Sequence, residues 1–197
     1  MQYDIFGKQL LKWSKEAFLE YFLDIQAESI ELLEELPQET ISSRSSDYPL
    51  LVKSHGQTKI VLLELQTKWQ ADKPPAMAEY YLRFLRQFPD YDIEPVMMLL
   101  TKSGFAGKKY KHKYLTFQFQ LFKLWQENAR KFLQWSKAHG RLELYPLVPL
   151  MHGGESYIWQ IEKELYDSTY RRQKKADLLN ALAVFGAWKI KQYDHNF

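Results

Sequence analysis

The sequence has no cysteine. That absence excludes a disulfide framework, a thiolate zinc site and a cysteine nucleophile, and it fits a reducing compartment. No apolar core is present in the opening stretch MQYDIFGKQLLKWSKEAF, so it does not read as a secretory leader. Long apolar runs are missing too. The longest, such as Val96–Leu100, fall far short of a membrane span. The expectation is a cytoplasmic protein with no membrane partner. Charge of one sign is not in large excess: 27 Lys and Arg against 24 Asp and Glu leave a net charge of +3. The five histidines, His55, His112, His139, His152 and His195, show no ligand spacing, which argues against zinc. Met151-His152-Gly153-Gly154 lacks the lysine and hydroxyl of a phosphate loop, and no G-x-S-x-G elbow occurs. There is no repeat, low-complexity tract or domain linker.

What is present is a chain 46% hydrophobic and 16% aromatic over 197 residues, enough to bury one sizeable core. Residues 14–36 carry apolar side chains at Phe18, Phe22, Ile25, Ile30 and Leu33, close to helical spacing. Ser14 suits the N-cap and Pro37 the stop. Residues 38–46 are polar and read as an edge strand or a loop. Tyr48–Lys53 and Lys59–Gln66 are apolar, extended runs around Ser54-His55-Gly56-Gln57, the pattern of a β-hairpin. Residues 74–88 predict a helix opened by two prolines, and Glu94–Thr101 a buried strand. Residues 102–114 read as a basic loop and Leu115–Leu124 as a half-buried strand. Glu127–Lys137 predicts a helix, and Leu142–Leu150 an extended connector because of its prolines. Residues 154–166 and 173–192 predict two closing helices. The order strand, strand, helix, strand implies an α/β fold with a mixed central β-sheet flanked by helices.

The hairpin carries the most specific chemistry. A two-residue turn at His55-Gly56 pairs Ser54 with Gln57. Counted outward, the same register sets Asp47 opposite Glu64. Facing residues of an antiparallel pair hold their Cβ atoms about 4.5–5.5 Å apart. Two carboxylates that close repel unless a cation lies between them, and a hard divalent ion such as Mg²⁺ takes oxygen ligands of this type. Glu64, Gln66 and Lys68 share one face by alternation, whereas Val61, Leu63 and Leu65 read as core. A charge between Leu63 and Leu65 is costly without a partner. A salt-bridged or solvated carboxylate pair is the alternative reading. Lys108-Lys109-Tyr110-Lys111-His112-Lys113-Tyr114 interleaves bases with aromatics. Such a segment either neutralises phosphates and stacks on bases or is a solvated basic loop.

The hairpin SSDYPLLV…KIVLLELQT resembles the PD-(D/E)XK nuclease signature, in which an Asp opens one strand and Glu-x-Lys ends the next. With Gln66 at the final position, it is similar to the recombination-promoting nuclease and putative transposase family. Tyr3-Asp4…Lys8-Gln9-Leu10-Leu11, Met77…Tyr80-Tyr81-x-Arg83 and Pro95–Leu100 match further pieces of that pattern. So do Phe119–Trp125, Tyr145–Met151 and Lys175–Lys189. The resemblance implies one nuclease-like domain, with a restriction-endonuclease-like core over about 1–125 and a helical C-terminal extension over about 126–197. It implies a DNA endonuclease dependent on Mg²⁺, with Mn²⁺ as the alternative ion, linked to recombination or mobile elements. Asp47 and Glu64 would ligate the metal, with the Leu65 carbonyl as third ligand and Gln66 at the catalytic lysine's place. Asp4, Lys8, Lys68, Tyr80 and Arg83 would support the site, and Lys108, Lys109, Lys111 and Lys113 would meet nucleic acid. A homodimer would suit double-strand cutting. Because Gln66 is neutral, a catalytically silent nuclease fold that binds nucleic acid or protein is the rival reading, and RNA is not separated from DNA.

Overall fold

A computed structural model describes residues 2–33, 48–102 and 105–194, with side chains described within residues 10–189. The protein is mixed α/β, as the element pattern predicts. Its chain forms two compact units, one of residues 19–122 and one of residues 1–18 with 123–197. Among the described residues, no helix is long and apolar enough to cross a membrane.

The chain opens with helix α1, Gln2–Leu23, and then enters strand β1, Ser29–Leu32. The single helix predicted over 14–36 is therefore a helix end followed by a strand. Ser14 is no cap; it is buried mid-helix and its hydroxyl donates to the Leu10 carbonyl at 2.8 Å. The true stop is Asp24, in the left-handed region at φ 54°, after which the Ile25 amide donates back to Leu19 O at 3.0 Å. That backbone bond, with a left-handed residue beside it, closes a helix C-terminus without glycine. Beyond it, apolar residues at Ile30 and Leu33 fit a strand edge as well as a helix face, which is why spacing alone misled.

The sheet-bearing unit is built on strand β2, Tyr48–Ser54, and strand β3, Gln57–Gln66. His55 at φ 50° and Gly56 at φ 74° turn the chain in two residues, the twist-compatible primed geometry. The register pairs Ser54 with Gln57 and continues to Tyr48 with Leu63. Residues 38–46 and Asp47 lie outside the described residues. Helix α2, Lys73–Gln87, follows with Pro74 and Pro75 in its first turn. It returns the chain to strand β4, Asp92–Leu99, which pairs parallel to β3 from Lys59–Asp92 to Gln66–Leu99. The five-stranded sheet runs β1-β2-β3-β4-β7, where β7 is Gln120–Lys123.

β3 is buried on both faces, which explains its nearly unbroken apolar run. Val61, Leu63 and Leu65 are core, as expected. The opposite face is not the polar face the alternation implied: Ile60 and Leu62 pack there with Tyr80, Phe84 and Ile93. The basic segment read as a loop is instead a second hairpin, strand β5, Lys109–His112, against strand β6, Leu115–Gln118. The single strand read over Leu115–Leu124 is thus divided between β6 and β7.

In the other unit, helix α3, Ala129–His139, is capped at both ends. The Asn128 side chain accepts from the Lys131 amide at 2.9 Å, and Gly140 closes the helix at φ 65°. Leu142–Leu150 is a 3-10 helix and not an extended connector. Its prolines fit because short 3-10 turns need few amide donors, and Leu144–Leu150 are all buried. It packs against helix α4, Ile158–Asp167, and helix α5, Arg172–Asp194. Tyr145 donates to Glu164 at 2.9 Å, and Lys137 meets the same carboxylate at 2.6 Å. Burial and the Glu164 bond both push the Tyr145 phenol's pKa up. Burial alone would raise Glu164, but the donors Lys137, Gln160 and Tyr145 outweigh it and hold the carboxyl below its ordinary 4.5.

Two outcomes follow from this packing. A Cβ at Gly154 would lie 1.7 Å from the Val148 carbonyl oxygen. Gly154→Ala should therefore cost at least about 2 kcal/mol in denaturant unfolding. Because the folded Glu164 pKa lies below its unfolded value, its contribution is full above pH 4.5 and fades as pH falls through the depressed value. Melts of wild type and Glu164→Gln across acid pH should show a steady gap near neutrality that narrows below that point.

Candidate functional site

The carboxyl ends of β3 and β4 lie side by side, and the α2 N-terminus opens beside them. Parallel strands joined through a helix leave a crevice outside their carboxyl ends, where α/β proteins bind ligands. Strand alternation sets Glu64 and Gln66 on one face at this place. Gln66 is 8% exposed and the Glu64 side chain 12%. The Gln66 amide Nε2 donates to Glu64 Oε1 at 2.7 Å. Lys73 Nζ approaches the same oxygen at 3.6 Å. One carboxylate oxygen is thus shared by a neutral donor and a cation.

Lys73 is the residue that sequence reasoning missed. It is the first residue of α2, directly before Pro74-Pro75. The signal was available: a β-α-β unit must start its helix near the end of the first strand, and only a short polar segment separates Gln66 from the prolines. Lys68, expected on the Glu64 face, is exposed beyond the strand end. At the strand end the chain after β4 still holds β3: Leu100 N bonds Gln66 O at 2.9 Å, and the Thr101 amide and hydroxyl bond Thr67 O at 3.0 and 2.6 Å.

The Leu65 side chain is core, 2% exposed. Its carbonyl direction follows from the ladder. Gln66 O accepts from β4, so by strand alternation the preceding Leu65 carbonyl turns toward the β2 side. Glu64 offers a carboxylate and Leu65 a carbonyl, hard oxygen donors of the kind Mg²⁺ takes. Among the described residues, no three His, Asp or Glu side chains gather as a metal-holding group. Asp47, the expected second carboxylate, lies outside the described residues. The donors described fit part of a divalent site.

The remaining expected residues are dispersed. Tyr80 is buried in the cluster with Ile60, Leu62, Phe84 and Ile93. Arg83 lies 5.7 Å over the Tyr80 ring and pairs with Glu79 at 2.7 Å, so α2 itself engages it. Asp4 and Lys8 fall on α1, with side chains outside those described. Lys108, Lys109, Lys111 and Lys113 are exposed on or beside the β5–β6 hairpin.

Comparison with protein-family models, curated proteins and solved structures finds no match to this chain.

Hydrogen bonds to a charged group are worth about 1.5–3 kcal/mol. Gln66→Leu, which leaves Glu64 without that donor, should lower unfolding stability by about that much. Gln66→Lys, which restores a charged donor, should cost less in the same denaturant titration.

Proposed function

We propose that the protein is a divalent-metal-dependent endonuclease that hydrolyses phosphodiester bonds of DNA, with its site at the carboxyl end of β3. What supports the reading is the convergence of Glu64, Gln66 and Lys73 there, on the hairpin, helix and parallel strand where the sequence resembles nucleases. Asp47, Glu64 and the Leu65 carbonyl would hold Mg²⁺, or Mn²⁺ in its place. When bound, the ion supplies a water made acidic enough to attack and neutralises charge on the scissile phosphate.

The chain's own residues account for the rest. Gln66 can donate to or accept from a water, but it brings no charge. Lys73 supplies the positive charge that position 66 lacks, and it does so from the helix end. Its ammonium carries three donors, enough to hold Glu64 and a phosphate oxygen together. The α2 N-terminus adds partial positive charge where a phosphate would sit.

A second reading rests on the same contacts. Glu64 Oε1 already accepts from Gln66 and faces Lys73, an internal arrangement that balances the carboxylate's charge. That favours a catalytically silent nuclease fold used to bind nucleic acid or protein.

Nicking of supercoiled plasmid separates the two. The wild type should nick with Mg²⁺ or Mn²⁺ and stop in EDTA. Glu64→Ala and Asp47→Ala should lose activity by about 10²-fold or more, and Lys73→Met by a comparable factor, as when one transition-state stabiliser is removed. Cleavage equal to wild type in both carboxylate variants sinks the endonuclease reading. A folded, inactive wild type leaves the binding module standing.

A further inference from the structure

The β5–β6 hairpin sorts its side chains into two faces. Tyr110 faces Phe117 across the ladder. Phe117 is buried, and its ring lies 5.5 Å from that of Tyr81 on α2. That face anchors the hairpin to the helix. On the opposite face, Lys109 pairs with Gln118 and Lys111 with Thr116, and all four are exposed. Lys108 precedes the ribbon, and Lys113 and the 85%-exposed Tyr114 form its tip.

The charge here is not balanced locally. No Asp or Glu occurs between Glu94 and Glu127, and that stretch holds six lysines. Against a whole-chain net charge of +3, it leaves the remainder of the chain at −3. Among the described residues, no ion pair engages Lys108, Lys109, Lys111 or Lys113. A mildly charged protein has thus placed four of these six lysines, Lys108, Lys109, Lys111 and Lys113, on or beside one ribbon.

We infer that this ribbon is a docking surface for the backbone of duplex DNA, seated in the major groove. The inference takes the nucleic-acid class of partner from the reading above, but it does not depend on cleavage. A major groove about 12 Å wide admits a two-stranded β-ribbon. Alternate residues on one strand face lie about 6.8 Å apart, so Lys109 and Lys111 span about two nucleotide rises along a DNA strand. Thr116 and Gln118 add neutral donors on the same face. All the cations are lysines, flexible point charges that neutralise phosphates without arginine's rigid planar fork. Binding is therefore independent of sequence. Duplex RNA fits poorly, because its major groove is too narrow for such a ribbon. The anchor residue Tyr81 lies about 12 Å along α2 from Lys73, so the ribbon holds DNA within reach of the Glu64 end of the same helix.

The test is fluorescence anisotropy of the full chain with short labelled duplexes of two unrelated sequences, in EDTA so that cleavage plays no part. The wild type should bind both equally. Combining Lys109→Gln, Lys111→Gln and Lys113→Gln should weaken binding by about tenfold or more at low salt and reduce the log–log salt slope by roughly 2–3. A control set with the same charge change, Lys12→Gln, Lys131→Gln and Lys163→Gln, should keep most of the affinity. Circular dichroism checks that both sets fold. An unchanged slope in the ribbon variant, an equal loss in the control, or no binding by the wild type each overturns the inference. So does tighter binding to duplex RNA or single strands than to duplex DNA. Ribbon-dependent binding without plasmid nicking upholds it while the endonuclease reading fails.

Discussion

Burying an ionised carboxylate costs several kcal/mol unless donors surround it, and β3 carries one in the middle of its buried half. The arrangement of the sheet-bearing unit follows from how that cost is met. Leu62 and Leu63 before Glu64, and Leu65 after it, tie the strand into apolar packing on both faces, so Glu64 cannot turn to solvent without moving the strand. Two described side chains contribute to its compensation. Gln66 is supplied by the strand itself, and Lys73 by the helix that follows. The short connection from β3 to α2 and the two prolines that fix the helix start therefore do electrostatic as well as topological work. If α2 began a turn later, the cation would be about 5 Å further away and the carboxylate poorly matched.

The elements that sequence reasoning found are those in which one physical term dominates. The hairpin was legible because a two-residue turn with glycine admits few registers, and its described pairs follow the register counted from His55-Gly56. The α2 start was legible from its prolines. Elements failed where two terms compete. Ile30 and Leu33 fit both a helix face and a strand edge, and a left-handed Asp24 gives no composition signal. Leu142–Leu150 was misread because prolines that exclude a central strand are also compatible with 3-10 turns. At the site, the pair Glu64 and Gln66 was readable from alternation, whereas Lys73 required knowing where the helix returns in space. Alternation puts Lys68 on the Glu64 face only if the strand continues, and β3 ends at Gln66 with Lys68 exposed beyond it, as a solvated surface lysine would be.

Charge is distributed with the same economy. In the sheet-bearing unit, Lys59 pairs with Glu94 and Lys53 with Glu28 on or beside the five-stranded sheet, and Lys137 and Lys174 pair with Glu164 and Glu143 in the other unit. The lysines of the second hairpin stand apart from them. A two-stranded ribbon alone is marginal in water. Here the Tyr110 and Phe117 face supplies the missing packing against α2, and this frees the other face to carry unneutralised charge.

Lys73 also occupies an electrostatically poor place for a lysine. The first turn of a helix presents partial positive charge, and a cation there costs about 0.3–1 kcal/mol. No acidic residue in that turn of α2 offsets it. Helix stability alone would favour Asp or Glu at this position, and a solvated lysine would turn away from the helix end. Lys73 instead lies toward Glu64 with 29% of its side chain exposed. Helix dipole and ammonium therefore add at one point rather than cancel, beside the one buried carboxylate at the end of β3. That superposition stabilises an anion better than either alone. It lets the neutral Gln66 sit within the strand, satisfied by Glu64, while the charge that a phosphate would need arrives from the helix.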